Sequence, residues 1–161
     1  MILSRSSQYA IQALIYVAVQ PQGTAVLTRS AAEHLRVPAA YLAKIMRQLR
    51  RGGLLVSARG RRGGFTLAEG GGNTDLMRVV TLIEGPGFTD DCVLGLKVCE
   101  DRSACPMHFQ WKPIKERVAA LLKEQTVEAL ARLVRSGKYR IADLPQAVGE
   151  PEFGRAREAA A

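Results

Sequence analysis

Apolar positions recur at helical spacing almost from the start of the chain. Ala10, Leu14, Val17 and Ala18 form one stripe, widened by Ile11 and Ile15, and predict a helix over about 5–20 with Ser4 as its cap and Pro21 beyond its end. Gln22-Gly23-Thr24 reads as a turn. A short second helix follows over about 29–36, capped by Thr28, with Ala32 and Leu35 inward. Val37-Pro38 breaks it, and Pro38 suits the first turn of a third helix over about 38–51. Leu42, Ile45, Met46 and Leu49 give that helix one apolar face, while Ala39, Ala40, Tyr41, Ala43, Lys44, Arg47 and Arg51 are left for the other. Two helices joined by a tight break, the second basic on its outer side, predict a helix-turn-helix whose expected DNA contacts are Thr28 and the outer-face residues of the third helix just named.

Gly52-Gly53 ends the third helix, and the pattern then shortens to two apolar runs, Leu54-Leu55-Val56-Ser57 and Phe65-Thr66-Leu67. The Ala-Arg-Gly-Arg-Arg-Gly-Gly loop between them makes a hairpin, placed where a wing would stand, with Arg59, Arg61 and Arg62 at its tip. No Lys-Ser/Thr follows the glycines, so the loop is not a nucleotide phosphate cradle. Gly70-Gly71-Gly72 reads as a linker; Asn73, Thr74 or Asp75 then caps a helix to about Glu84 with Leu76, Val79, Val80 and Ile83 buried, ended by Gly85-Pro86-Gly87. Further on, Trp111, Ile114, Val118 and Leu121 step by three, four and three, a seam that predicts a self-pairing helix. Pro113 either marks where that helix starts, near Lys112, or kinks it. Thr126 caps a last helix to about Ser136, with Leu130, Leu133 and Val134 apolar and Gly137 as the stop. From about Pro145 the Ala/Arg/Glu/Gly/Pro composition predicts a disordered tail.

Charge adds a partner to this outline. Residues 1–68 carry ten Lys/Arg against the single acid Glu33, while the rest of the chain is close to neutral, so the whole net charge of +8 sits in the winged-helix part. Such a concentrated field predicts a polyanion, here double-stranded DNA. No apolar run approaches the roughly 20 residues that span a bilayer, and no signal-peptide pattern opens the chain. A membrane role is therefore not expected, and three cysteines without a secretion signal suggest a reducing cytoplasm. An enzyme is disfavoured, since only His34 and His108 supply imidazoles and no Ser/His/Asp or paired-carboxylate arrangement is apparent.

The remaining chemistry lies in one polar loop. Cys92, Cys99 and Cys105 are separated by six and five residues, and His108 follows two residues after the last. Three thiolates and an imidazole complete the first shell of a soft metal site, either zinc or an iron–sulfur centre. The long gaps fit a larger object better than a zinc knuckle; thiol oxidation without a metal and inert cysteines are the competing readings.

Taken together, Tyr9-Ala10, Tyr41-Leu42, Leu49-Arg50-Arg51-Gly52-Gly53-Leu54, Arg59-Gly60 with Gly63-Gly64-Phe65, the cysteine triplet, the Trp111 region and Thr126-Val127-Glu128-Ala129-Leu130 resemble the Rrf2 family of bacterial winged-helix regulators. The resemblance covers about residues 1–136. It implies a mainly α fold with a two-stranded wing, a homodimer paired through the long helix and an inverted-repeat operator. It also implies ligation of a [2Fe–2S] or [4Fe–4S] centre by Cys92, Cys99 and Cys105. His108 matches the fourth ligand of one cluster-binding branch, whereas Gln8, at the place of another branch's aspartate, is a poor ligand; [2Fe–2S] is therefore favoured. Ala43 stands where the first branch has a DNA-selecting glutamate, which implies a different operator. The expected organisation is a DNA-binding domain over 1–84, a cluster loop over 85–108, the dimerisation helix and its successor over 109–136, and a tail over 137–161. The expected function is transcription regulation that senses iron, redox or nitric-oxide status through the cluster, with thiol or zinc sensing on the same fold as the alternative.

Overall fold

A computed structural model describes residues 3–58, 63–87 and 92–142. Within them lie six α-helices and one antiparallel strand pair: α1 Arg5–Val19, α2 Thr28–Leu35, α3 Ala39–Arg51, β1 Leu55–Ala58, β2 Gly64–Leu67, α4 Leu76–Glu84, α5 His108–Glu124 and α6 Val127–Arg135. The mainly α winged helix-turn-helix expected from the residues is the architecture observed. Arg59, Arg61 and Arg62 at the wing tip and the tail beyond 142 lie outside the described residues.

The first helix sits at the centre. Ala10, Ala13 and Leu14 are fully buried, and Ile15, Val17, Ala18 and Val19 nearly so. Ser4 caps it by accepting the Ser7 N–H, as expected. Around it pack α2, α3, α4, α6 and β2. The apolar face of α3 (Leu42, Ile45, Met46, Leu49) is buried as the spacing predicts. One continuous core runs from these residues to Val79 and Val80 of α4, Leu122 of α5 and Val127 and Ala131 of α6.

Several boundaries differ from those expected. Thr28 is the first residue of α2 rather than its cap; Leu27 holds the cap position with no side-chain bond. The break into α3 is made by Arg36 in the left-handed conformation (φ 55°), with Val37 N–H donating to the Ala32 carbonyl at 2.9 Å. Gly70-Gly71-Gly72 is not a free linker. It enters a tight 3₁₀ turn, Gly71–Asn73, whose Gly71 is buried under the Leu54 carbonyl, where a Cβ would stand only 2.8 Å from that oxygen. Asp75, of the three candidates, caps α4. Ile83 is only half buried. Pro113 neither starts nor delays α5, which runs unbroken from His108; the proline is exposed in its second turn, where it removes one N–H from the ladder.

The wing is tied down by a contact that periodicity does not reveal. Val26 and Phe65 exchange backbone hydrogen bonds of 2.8 and 2.9 Å, so the segment before α2 pairs with β2. This pairing brings the Val26 carbonyl against Gly64, where a Cβ would lie 2.4 Å from the oxygen at a φ of 153°. Only glycine fits there. Gly64→Ala should therefore destabilise the fold by about 1–3 kcal/mol, the scale of a residue forced into a disallowed backbone region. Urea unfolding checks this, and wild-type stability would contradict the pairing.

Candidate functional site

The cysteine segment owes its shape to turns rather than to regular structure. Gly85 (φ 97°) ends α4, and Gly95 (φ 72°) closes a turn in which its N–H donates to the Cys92 carbonyl at 2.9 Å. A 3₁₀ turn over Asp101–Ser103 separates Cys99 from Cys105. The Cys105 carbonyl then accepts the His108 N–H at 2.9 Å and opens α5. Each candidate ligand thus stands at the edge of a turn, where backbone direction changes and side chains can converge.

They converge as two pairs. Cys92 Sγ is 4.0 Å from Cys105 Sγ, and Cys99 Sγ is 3.5 Å from His108 Nδ1. Two thiolates on one tetrahedral ion, each about 2.3 Å from it, would be about 3.8 Å apart, and a thiolate and imidazole nitrogen about 3.5 Å. Both pairs therefore have the separation of co-ligands. Among the described residues no group of three His, Cys, Asp or Glu side chains is gathered around a single ion position. His108 is buried at 2% exposure and Cys92 at 9%, whereas Val93, Leu94, Leu96 and Val98 between the first two cysteines are exposed. The Cys92 thiol is held below the ordinary thiol range, chiefly by the backbone N–H of Leu96 and then that of Leu94. Burial opposes them, and the thiols of Cys105 and Cys99 add smaller contributions in the same direction as the amides.

Three charged residues that the spacing of cysteines does not point to complete this site. Asp101 Oδ1 accepts from His108 Nε2 at 2.8 Å, and Lys112 Nζ reaches both carboxylate oxygens at 2.9 Å. Lys112 holds the Asp101 carboxyl below its usual range, with His108 second, and is itself raised by Asp101. Lys115 Nζ lies 3.5 Å from Cys99 Sγ, a cation beside a prospective thiolate. The signal was present in the sequence as an acid two residues after Cys99 and lysines four and seven residues after His108. A cleft of about 410 Å³ opens along Cys99, Asp101, His108, Lys112, Lys115 and Glu116.

The second surface lies on α3. Ala39, Ala40, Lys44, Arg47, Arg50 and Arg51 are exposed there, and Ala43 is half covered. Arg50 belongs to this basic set although its neighbours alone were singled out by spacing. Tyr41 has a further role: its hydroxyl is 2.6 Å from Ser6 Oγ and its ring meets Tyr9 edge-on at 6.0 Å, so it anchors the start of α3 to α1. Thr28, half buried, begins α2.

The seam expected on α5 divides. Ile114 and Leu121 point outward at 47% and 55% exposure, Trp111 is half covered, and Val118 packs against the chain's own core. Exposed Met107 and Phe109 extend the apolar surface at the N-terminal end of the helix.

A winged helix-turn-helix followed by a cysteine-bearing segment and a long helix is the arrangement to which known proteins can be compared. The profile of the Rrf2 family, described as an iron-dependent transcriptional regulator, matches residues 3–133. The chain belongs to the Rrf2 family. It is accordingly a DNA-binding transcription regulator and not an enzyme. Among relatives, the HTH-type transcriptional regulator IscR of Salmonella paratyphi B (strain ATCC BAA-1250 / SPB7) is 26% identical over 154 residues, covering 93% of each chain. IscR of Xenorhabdus nematophila is 26% identical over 130 residues, covering 81% of this chain and 79% of that one. Among solved structures, CymR, the global cysteine regulator of B. subtilis, superposes with a TM-score of 0.66 at 25% identity, over 81% of this Rrf2 chain and 96% of CymR. IscR of T. potens shares the fold at a TM-score of 0.67 and 22% identity, over 86% and 91% of the two chains. No helix among the described residues of this Rrf2 protein is long and apolar enough to cross a membrane.

The two amides around Cys92 make a direct prediction. In metal-free protein, ultraviolet thiolate absorbance should show Cys92 ionising below the ordinary thiol range, and Cys105→Ser should move it back upward only in part, because Leu96 and Leu94 remain. Because the folded value is depressed, the stability it contributes is full above the ordinary thiol pKa and is lost as pH falls through the folded one.

Proposed function

We propose that this Rrf2 protein is a homodimeric regulator that binds an inverted-repeat duplex through α3 and the wing, and holds an iron–sulfur cluster on Cys92, Cys99, Cys105 and His108. The observation that carries the cluster reading is the pairing of donors: Cys92 with Cys105 at 4.0 Å and Cys99 with His108 at 3.5 Å. Two pairs at co-ligand distance suit two tetrahedral irons, so [2Fe–2S] is favoured over [4Fe–4S]. The donor set fits in chemistry as well, being soft, with Cys92 already held toward thiolate by backbone amides and the imidazole oriented by a carboxylate. When bound, such a cluster supplies a redox- and oxidant-sensitive link between the segment after α4 and the start of α5. The protein's own part is to bring these four side chains together and to exclude water from His108.

The DNA-facing part rests on charge. Lys44, Arg47, Arg50 and Arg51 are exposed along α3, and the sequence that joins β1 to β2 carries Arg59, Arg61 and Arg62. With Ala39, Ala40 and Ala43 small, few side chains are left to read bases, so phosphate contacts and Arg47 carry much of the binding. Exposed Ile114 and Leu121, one heptad apart on α5, give the second copy its seam, and a two-fold dimer matches a palindromic site.

One observation favours a second reading. Cys92 is a depressed-pKa thiol 4.0 Å from Cys105, the setting in which a two-electron oxidant closes a disulfide with loss of two protons, so the same fold could respond through thiols alone.

Protein made and purified without oxygen should contain iron and inorganic sulfide in equal amounts and absorb in the visible. Each of Cys92→Ala, Cys99→Ala and Cys105→Ala should abolish that absorption. Stoichiometric zinc without sulfide, or no metal, contradicts the cluster. For the DNA surface, Arg47→Ala should weaken operator binding by about 1–3 kcal/mol in fluorescence anisotropy at physiological salt. An unchanged affinity would remove α3 from the interface. Leu121→Asp places a carboxylate in the proposed seam while sparing Val118 and the core, and sedimentation should show dissociation to monomers. A dimer of undiminished strength would move the interface elsewhere.

A further inference from the structure

We infer that Asp101, clamped by Lys112, is a positioning residue that fixes His108 with Nδ1 as its metal-binding nitrogen. The inference rests on the cluster reading above and deepens it. A carboxylate only accepts hydrogen bonds, so the 2.8 Å contact from His108 Nε2 to Asp101 Oδ1 places the ring proton on Nε2. The Nδ1 lone pair then faces Cys99 Sγ at 3.5 Å, the distance of a co-ligand.

Asp101 is itself held. Lys112 Nζ lies 2.9 Å from each carboxylate oxygen, and Lys112 stands one turn beyond His108 on α5, so the clamp and the ring share one helix face. The carboxylate belongs to the 3₁₀ turn Asp101–Ser103, between the second and third cysteines. The ring is 2% exposed and meets Phe109 edge-on at 5.1 Å, which leaves little room for rotation. A carboxylate behind a ligating imidazole fixes its tautomer and strengthens it as a donor, which favours the oxidised metal and lowers the reduction potential.

The test uses the full chain with its cluster, purified anaerobically. A His34→Gln background leaves one histidine, since the sequence has two. Histidine carrying ¹⁵N at either Nδ1 or Nε2 is incorporated, and the reduced protein is examined by pulsed electron paramagnetic resonance. The Nδ1 label should give the strong coupling of a directly bound nitrogen, and the Nε2 label a weak one. Asp101→Asn retains an oxygen acceptor but no charge; it should keep that assignment while the midpoint potential rises. Asp101→Ala should give mixed nitrogen couplings and faster cluster loss. In metal-free protein, nitrogen–proton correlation spectra should show the Nε2–H tautomer, a readout that holds even if a variant folds poorly. Strong coupling from Nε2, the Nδ1–H tautomer, or an unshifted potential in both Asp101 variants overturns the inference while leaving the cluster standing. Strong coupling from neither label, with sulfide present, overturns it too and limits ligation to the cysteines among these residues. Wild-type protein without sulfide overturns the cluster reading itself, and the inference with it.

Discussion

Enclosure of α1 is the constraint on which the rest of the fold depends. Its Ala10 and Ala13 are fully buried, and residues this small let neighbouring backbones approach closely. The helix-turn-helix packs on it through α2 and α3, and α4 and α6 pack on it as well. The helix-turn-helix and the elements that carry the metal-ligand candidates therefore share one core. Burial of about 25 cal/mol per Å² of apolar surface supplies the stability, but the arrangement matters more, because packed interiors shift between discrete positions rather than deform smoothly.

Specific bonds connect α3 to α1 and to α4, the helix that precedes the cysteine segment. Tyr41, at the start of α3, meets Ser6 at 2.6 Å; Ser4 N–H donates to Glu84 Oε1, at the end of α4, at 3.0 Å. Gln48 of α3 donates to the Leu82 carbonyl of α4 at 2.9 Å, and Gly52 admits the Leu82 side chain, which would stand 2.3 Å from a Cβ there. The start of α3 is thus tied to the first turn of α1, and its last turn to the last turn of α4. Beyond α4 comes the segment that leads to Cys92. At its other end α4 is fastened to the turn between α5 and α6 by Leu76 N–H to the Gln125 carbonyl and Val127 N–H to the Thr74 carbonyl, both 3.0 Å. A group bridging the cysteine segment and α5 would act on α4 from two sides, and α4 would pass the change to α3.

Much of this was legible in the residues because periodicity and capping chemistry act locally. The apolar spacing of Leu42, Ile45, Met46 and Leu49 located α3 and its buried face, and Ser4 and Thr126 identified two caps correctly. What spacing cannot express is contact between distant segments. Gly64 and Gly71 read as loop residues, yet each is required by a backbone carbonyl from elsewhere in the chain. The seam on α5 is read from one helix alone, whereas the chain's own core takes Val118 and leaves Ile114 and Leu121 outside. The cysteines and His108 announced their chemistry through residue type. Asp101 did not, because an acid in a polar loop is ordinary until folding sets it 2.8 Å from a buried imidazole.

The central claim is that occupancy of the Cys92–His108 site alters how α3 meets DNA. A ligand shifts a conformational equilibrium only by its different affinities for the two states, so the effect must appear as a ratio of DNA affinities. The direct measurement is anaerobic fluorescence anisotropy on one duplex, selected from random sequences, with cluster-loaded and cluster-free protein at the same salt. The account predicts affinities that differ severalfold in wild type and a ratio that collapses to one in Cys92→Ala prepared in the same two ways. Equal affinities of loaded and cluster-free wild-type protein across duplexes selected with each form would contradict it.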